Sequence, residues 1–280
     1  MSYNFLEPDL IIRPKRNLFD IDLKDLWRYR GLIKLLVRRD FVSQYKQTVL
    51  GVVWAILQPF ATMIILTVVF SKIAKLPSEG SAPYAVMVFA AMLPWQLFAN
   101  SLTGCSNSLI SNANLISKVY FPRLIIPASA VVVALADFLI AMAMLIIVML
   151  WYRFVPSAFA LALPLFILMA FLTAMGAGLW LASLNVKYRD FRYIVPFIVQ
   201  FGLYISPVGF SSSVIPEKWQ LLYSLNPMVG VINGFRWALL GGQSYFYWPG
   251  FLISSLVIFF LLLSGIHHFR RMEKTFADVI

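Results

Sequence analysis

The sequence predicts an all-α integral membrane protein with six transmembrane helices, an N-terminal amphipathic interfacial helix, and re-entrant helices between the fifth and sixth spans. Of its 280 residues, 61% are hydrophobic and 12% are charged, a balance far outside that of soluble domains. The apolar residues are collected in long runs separated by short polar segments. We expect one membrane domain (1–280), made of an N-terminal arm and interfacial helix (1–48), a six-span bundle (49–268) and a C-terminal tail (269–280).

The N-terminal segment has the composition of an extended arm followed by a helix. Residues 1–20 are polar and charged, without the apolar core of a cleaved signal peptide, so the first apolar run is expected to be retained as the targeting element. Asp22 and Asp25 form a helix start that resembles a capping box. We predict a bent helix over 22–46 that lies on the membrane surface, with a soluble helix packed on a partner as the alternative.

Six apolar runs are each near the ~20 residues that an α-helix needs to cross hydrocarbon. The predicted spans are 49–71, 84–109, 127–151, 158–184, 194–210 and 248–267. Between the last two, the apolar piece 228–240 is too short to span and is interrupted by glycines. We expect the segment 211–247 to form two short helices that dip back into the membrane, where protein or a wet cavity must surround them.

The basic residues are distributed unequally between the segments that connect the spans. A net charge of +11 would suggest a nucleic-acid partner for a soluble protein. Here 18 of the 23 Lys and Arg residues fall in 1–48, 112–124, 186–193 and 268–280, all on one side of a six-span topology. The positive-inside rule places that side, and therefore both termini, in the cytoplasm. The expected partner of this charge is membrane lipid, and no nucleic acid is predicted.

Cysteine and histidine are too scarce for a disulfide framework or a metal site. Cys105 is the single cysteine, which excludes an intrachain disulfide. The two histidines, His267 and His268, close the last span and lack the further ligands that a metal site needs. No metal ligand is predicted in this chain.

Three segments resemble a known family. The approach to the first span, RRDFVSQYKQTVLGVVWAILQP (38–59), is similar to the corresponding region of the membrane subunit of bacterial polysaccharide ABC exporters. These type-2 ABC permeases move O-antigen, capsule or teichoic acid. The segments NANLISKVYFPRLIIP (112–127) and NVKYRDFRYIVP (185–196) resemble the same family, in the same order along the chain. The resemblance covers nearly all of the sequence.

The resemblance implies that the segments 112–127 and 185–196 form coupling helices that dock on an ATPase subunit. Composition alone favours ordinary solvated turns for both segments. The residues expected to contact the ATPase are Asn114, Leu115, Ile116, Lys118, Tyr120, Lys187, Tyr188, Arg189, Asp190 and Phe191. The family pairs two permease copies, a homodimer, with two nucleotide-binding subunits. This chain contains no G-x-x-x-x-G-K-[ST] motif, so ATP and Mg are expected on the separate ATPase and no cofactor is expected here.

Two sets of charged residues have more than one interpretation. Arg38, Arg39 and Lys46 could orient the protein against anionic headgroups, or could contact the diphosphate of a lipid-linked glycan. Asp137 is the one carboxylate well inside a predicted span. An acid at that depth could face a wet cavity with a functional role, or could make a structural hydrogen bond to a neighbouring helix.

Aromatic residues make up 16% of the chain and suggest a path for sugar rings. Near span ends, most aromatic side chains anchor a helix at the membrane interface. Deeper ones could instead form a surface for sugar rings in a conduit between protomers. The candidate conduit residues are Trp54, Phe60, Trp95, Phe98, Asp137 and Tyr204.

The sequence therefore favours a non-enzymatic permease subunit that exports a lipid-linked polysaccharide, with O-antigen as the first candidate. It would be a multi-pass protein of the bacterial cytoplasmic membrane. The alternatives are an exporter permease for a drug or small lipid, and a membrane-embedded glycosyl- or acyltransferase. The transferase would need clustered acids and histidines at a membrane face, whereas the face away from the cytoplasm carries only Glu79 and Glu217.

Overall fold

The structure is a computed structural model, and it describes residues 27–46, 52–188, 190–242, 244–273 and 276. Within these ranges the regular structure is helical, without strands. The α-helices are α1 (Arg30–Lys46), α2 (Val52–Thr67), α3 (Tyr84–Ser111), α4 (Ala113–Lys118), α5 (Ile125–Trp151), α6 (Leu163–Lys187), α7 (Phe191–Ile205), α8 (Glu217–Tyr223), α9 (Pro227–Leu239) and α10 (Trp248–Glu273). A π-helical stretch, Val68–Ile73, extends α2, and a 3₁₀ turn, Ala158–Ala162, leads into α6.

Among the described residues, five helical stretches are long and apolar enough to cross a membrane, and each matches a predicted span. They are Val53–Ile73, Tyr84–Ser111, Ile125–Trp151, Ala158–Lys187 and Trp248–Glu273. Their bounds differ from the predicted spans by a few residues, because the helices continue into the polar segments that flank the apolar runs. The prediction of an all-helical, multi-span membrane protein is confirmed.

The predicted span 194–210 is present as the shorter helix α7. This helix has 15 residues, a length of about 22 Å at a rise of 1.5 Å per residue. It ends at Ile205 because Ser206 precedes Pro207, and the residue before a proline is disfavoured in the helical region. Accordingly, Ser206 has an extended backbone (φ −81°, ψ 154°). The count of six spans therefore stays a prediction.

Helix α3 forms the centre of the bundle. Buried side chains make up 89% of its most apolar stretch, against 17% for the first span. It packs against α5, α6 and α9, and α6 in turn packs against α10. Gly176 and Gly265 allow the close approach of α6 and α10, because a Cβ atom on Gly265 would overlap the carbonyl oxygen of Gly176.

Two short helices, α8 and α9, lie between α7 and α10, as the sequence predicted. Helix α9 packs against α3, α6 and α10, and nearly all of its side chains are buried. Helix α8 instead exposes Trp219, Leu221 and Leu222. The re-entrant placement of this pair within a membrane stays a prediction.

Helix α1 corresponds to the C-terminal part of the predicted helix 22–46, of which residues 22–26 lie outside the described ranges. A turn at Tyr29 separates α1 from a short helical stretch at Trp27 and Arg28. The last turn of α1 contacts Asp137 of α5. Asp137 lies twelve residues after Ile125, the first residue of α5, which is about 18 Å along that helix. The C-terminal half of α1 thus follows α5 into the bundle, unlike a helix that lies flat on a membrane surface along its whole length.

A buried ion pair joins three segments at the end of the bundle where α3 begins. Arg236 of α9 is fully buried and forms a salt bridge with Glu79, with 3.3 Å between Nη1 and Oε1. Its guanidinium also donates to the carbonyl oxygens of Val208 and Phe210, each at 2.9 Å, and of Met87 at 3.3 Å. Arg236 therefore fixes the segment after α7 against both α9 and the start of α3.

We predict that Arg236→Gln lowers the free energy of unfolding by about 3–5 kcal/mol, because it leaves a buried carboxylate without its cation. Glu79→Gln should cost less, because the arginine keeps three carbonyl acceptors. The thermal midpoint of the purified protein in detergent measures both effects. Lys218→Gln removes an exposed positive charge near the same end and serves as the control. Equal midpoints for the Arg236 and Lys218 variants would contradict this role of the ion pair.

Candidate functional site

A cavity of about 890 Å³ opens between α1, α2, α3, α5 and α7. Its wall is rich in side-chain amides and hydroxyls, although the helices that form it are largely apolar. The amides are Gln44, Gln58, Gln96, Asn100, Asn107 and Asn112. Polar side chains at membrane depth must face protein or water, so the polar half of α3 turns toward this cavity.

Asp137 lies on the cavity wall and joins three helices. Its carboxylate accepts hydrogen bonds from the Tyr45 hydroxyl, from Gln44 Nε2 at 3.2 Å, and from Asn100 Nδ2 at 3.4 Å. Both interpretations of this residue thus have a structural counterpart, since Asp137 faces a cavity and also bonds neighbouring helices. The same carboxylate therefore lines the cavity and holds the end of α1 in place.

Tyr45 is one of the two donors from α1 at this junction, beside Gln44. Burial raises the pKa of the Tyr45 hydroxyl, and the hydrogen bond to Asp137 raises this pKa further. The hydroxyl therefore keeps its proton at neutral pH and acts as a donor to the carboxylate. This bond connects the end of α1 to the middle of α5.

The predicted basic residues occupy different positions. Arg39 lines the cavity, pairs with Asp40 at 2.7 Å, and donates from Nη2 to Asn112 Oδ1 at 2.7 Å. Arg38 is exposed and does not line the cavity. Lys46 ends α1, and its side chain lies outside the described part of the structure. Of the two described arginines, Arg39 is therefore the one that a bound molecule in the cavity would meet.

The predicted conduit aromatics lie in three different places, which are the cavity wall, the apolar core and the exposed surface. Trp54 and Trp95 line the cavity together with Asp137. Phe98 is buried beside Trp95, with ring centroids 5.4 Å apart, and Phe60 packs against the apolar core. Tyr204 is exposed on α7 and is not part of the cavity wall. The structure thus brings three of the six candidates together.

The two predicted coupling segments lie at one end of the bundle. Segment 112–127 follows the end of α3 and contains α4 and the start of α5. Segment 185–196 contains the end of α6 and the start of α7. Asn185 donates to the Ser106 carbonyl at 3.0 Å and to Asn107 Oδ1 at 3.2 Å, which joins the ends of α6 and α3. Arg123 bonds the carbonyl of Glu273, so the end of α10 lies beside these segments.

The side chains of the coupling residues differ in exposure. Ile116 is buried, and Leu115 and Phe191 are half-buried, so these three contribute to packing within the chain. Arg189 lies outside the described residues. The exposed candidates are Asn114, Lys118, Tyr120, Lys187, Tyr188 and Asp190. They form the part of the predicted set that a docked protein could reach.

The amide lining of the cavity and the Arg236–Glu79 pair were not predicted as functional features. A signal for the amides exists in the sequence, because the second apolar run becomes polar over 100–108. No local signal identifies the partner of Arg236, since Glu79 lies 157 positions away along the chain.

A bundle of apolar helices around a polar, half-open cavity defines a multi-pass α-helical membrane protein with a site for a polar molecule. The chain matches the ABC-2 type transporter family over residues 31–240 and belongs to that family. The resemblance found in the sequence is thereby confirmed.

The names of several similar proteins agree with this family membership. The chain is 26% identical to the O-antigen export system permease protein RfbA of Klebsiella pneumoniae, over 89% of this chain and 95% of that protein. It is 26% identical to RfbA of Myxococcus xanthus, over 76% of this chain and 82% of that protein. It is 23% identical to the polysialic acid transport protein KpsM of Escherichia coli, over 86% and 93% respectively. These relatives are permeases and transport proteins of polysaccharide export systems.

We predict that Asp137→Leu releases the last turn of α1 from α5, because three donors lose their acceptor. Hydrogen bonds to a charged group contribute about 1.5–3 kcal/mol, so amide hydrogen exchange at residues 41–45 should become at least about tenfold faster. Asp137→Asn, which retains an acceptor oxygen, is the matched variant and should show a smaller increase. Unchanged exchange in the leucine variant would show that other contacts hold α1 in place.

Proposed function

We propose that this chain is the permease subunit of an ATP-driven exporter that moves a lipid-linked polysaccharide across the bacterial cytoplasmic membrane. O-antigen is the favoured substrate class, with capsule polysaccharide and teichoic acid as neighbouring classes. The observation that carries this proposal is the similarity along 89% of the chain to an O-antigen export permease.

The chemistry of the cavity supports a glycan as the molecule that passes. Sugars present many hydroxyls, which both donate and accept hydrogen bonds, and side-chain amides match both roles. Sugar rings also have apolar C–H faces, and Trp54 and Trp95 offer flat apolar surfaces on the same wall. A wall of amides, hydroxyls and tryptophans fits a glycan better than it fits a hydrophobic drug.

The energy for transport would come from a separate ATPase, because the sequence lacks a P-loop. ATP and Mg would be bound there, in two ATPase copies. The coupling segments 112–127 and 185–196 would receive the motion of the ATPase, with their exposed residues at the contact. The salt bridge between Arg270 and Glu273 stiffens the neighbouring end of α10.

A homodimer would complete the conduit. The cavity of one chain is partly open, and α2 and α7 both contribute to its wall. These two helices also expose apolar side chains, which include Val53 and Leu57 on α2 and Phe197 and Phe201 on α7. A second copy placed against these helices would close the cavity toward the lipid.

The proposed topology places both termini, and the coupling segments, in the cytoplasm. Helix α7 with the extended segment after it would form the fifth of six spans, with α8 and α9 re-entering from the opposite face. The asymmetric distribution of Lys and Arg supports this orientation. The protein would then be a multi-pass protein of the inner membrane.

We predict that this permease co-purifies with its ABC ATPase subunit when the two are co-expressed, and that Lys118→Glu reduces the amount recovered about fivefold or more. Lys118 is exposed on α4, so reversing its charge should disturb electrostatic complementarity at a docked ATPase. Lys218→Glu is the matched control, the same reversal at an exposed lysine on α8. Recovery of the ATPase at wild-type levels with Lys118→Glu, or equal loss with both variants, would contradict the proposed docking face.

We predict that Arg39→Gln raises the KM for a lipid-diphosphate-linked glycan about tenfold, because a charge-assisted contact to the diphosphate is lost. Arg38→Gln should change the KM less than about twofold, because Arg38 lies off the cavity wall. Initial transport rates, normalised to the amount of inserted protein, give both values, and Lys46→Gln extends the series. Equal effects of the two arginine variants would indicate that the basic residues only orient the protein against lipid.

A further inference from the structure

Asp137 is the charge on the described cavity wall that has no cationic partner. The charged residues among the described lining residues are Arg39, Asp40 and Asp137. Arg39 and Asp40 pair with each other, so their charges compensate. The groups that contact Asp137 are a hydroxyl and two amides, which are neutral. As far as the structure describes it, the wall therefore carries one acidic group without a cation beside it.

We infer that Asp137 acts as a charge-selecting residue, which favours glycans with uncharged repeat units over glycans that carry a negative charge in each repeat. This inference rests on the proposed export of a glycan through the cavity. It assigns a substrate preference to a residue of the same site.

Three neutral groups surround the Asp137 carboxylate, which are the Tyr45 hydroxyl and the side-chain amides of Gln44 and Asn100. They hold the carboxylate in place without supplying a positive charge. The described contacts thus fix its position on the wall without placing a cation beside it.

The position of Asp137 inside the cavity would strengthen its repulsion of acidic groups on a glycan. It lies in the middle of α5, about 18 Å from Ile125 at the start of that helix. In a cavity with protein walls, the repulsion between like charges is several times stronger than in bulk water, and low-dielectric walls focus the field. A glycan with an acidic group in every repeat would meet this repulsion at each step of its passage.

A neutral glycan would instead find acceptors at the same point. The Gln44 and Asn100 contacts to Asp137 measure 3.2–3.4 Å, which is long for a hydrogen bond. A sugar hydroxyl could replace either donor, since a carboxylate offers about four acceptor positions. Asp137 would therefore accept from sugar hydroxyls while repelling carboxylates and phosphates of a repeat unit.

The test compares two defined probes in vesicles that contain the permease with its ATPase. One probe is a polyprenyl-diphosphate-linked glucan, and the other has the same length and lipid with every second glucose replaced by glucuronic acid. The readout is the ratio of the initial transport rates of the neutral and acidic probes. A loss of activity common to both probes cancels in this ratio, so impaired folding does not imitate a change in selectivity.

We expect the wild-type protein to transport the neutral probe about tenfold faster than the acidic probe, which corresponds to one repulsive contact at short range. Asp137→Asn should bring this ratio close to one, whereas Asp137→Glu, which retains the charge, should keep it. Gln96→Glu adds a second acid to the cavity wall without removing a donor to Asp137, and should raise the ratio further.

Two results would overturn the inference about Asp137 without contradicting the proposed export function. These are equal wild-type rates for the two probes, and a wild-type ratio that persists in Asp137→Asn. Transport of neither probe by the wild-type protein would overturn the proposed export function, and the inference with it. The three results are distinguishable in a single set of measurements.

Discussion

The arrangement of this protein depends on one constraint, which is that a polar side chain inside an apolar bundle must face protein or water. The second half of α3 is rich in hydroxyls and amides, and α5 carries an acid in its middle. Several hydroxyls of α3 donate to carbonyl groups of their own helix, whereas the amides and the acid face a shared cavity. Asp137 then needs donors, and the end of α1 supplies two of them. The cavity, the central position of α3 and the course of α1 thus follow from the same requirement.

The same constraint applies to Arg236, at the end of the bundle where α3 begins. Arg236 lies in a short apolar helix, where an unpaired guanidinium would be costly. Its pairing with Glu79, and its bonds to Val208 and Phe210, give structure to a part of the chain that contains no long helix. The two charges therefore have different surroundings. Arg236 is paired and enclosed, as expected of a structural residue, whereas Asp137 is half-buried on a cavity wall and has no cationic partner among the described residues.

Much of the fold could be predicted from the sequence, because hydrophobic length alone identifies membrane helices. Five spans, the two short helices α8 and α9, and the polar character of 100–108 all have local signals. The course of α1 could not be predicted, because it depends on contacts between Tyr45 and a residue 92 positions away. The ion pair of Arg236 could not be predicted for the same reason, because Glu79 lies 157 positions away along the chain. For the candidate site, residue type identified Trp54, Trp95 and Asp137, but periodicity did not separate them from Phe60, Phe98 and Tyr204, which lie elsewhere.

The central claim is that this chain forms a path for a lipid-linked glycan, driven by an ATPase that it does not itself contain. The most direct measurement is the movement of a labelled, lipid-diphosphate-linked glycan across vesicles that contain the permease, the ATPase, or both. Glycan movement should require both proteins and hydrolysable ATP. Glycan movement by the permease alone, without ATP, would contradict it, as would the absence of movement when both proteins and ATP are present.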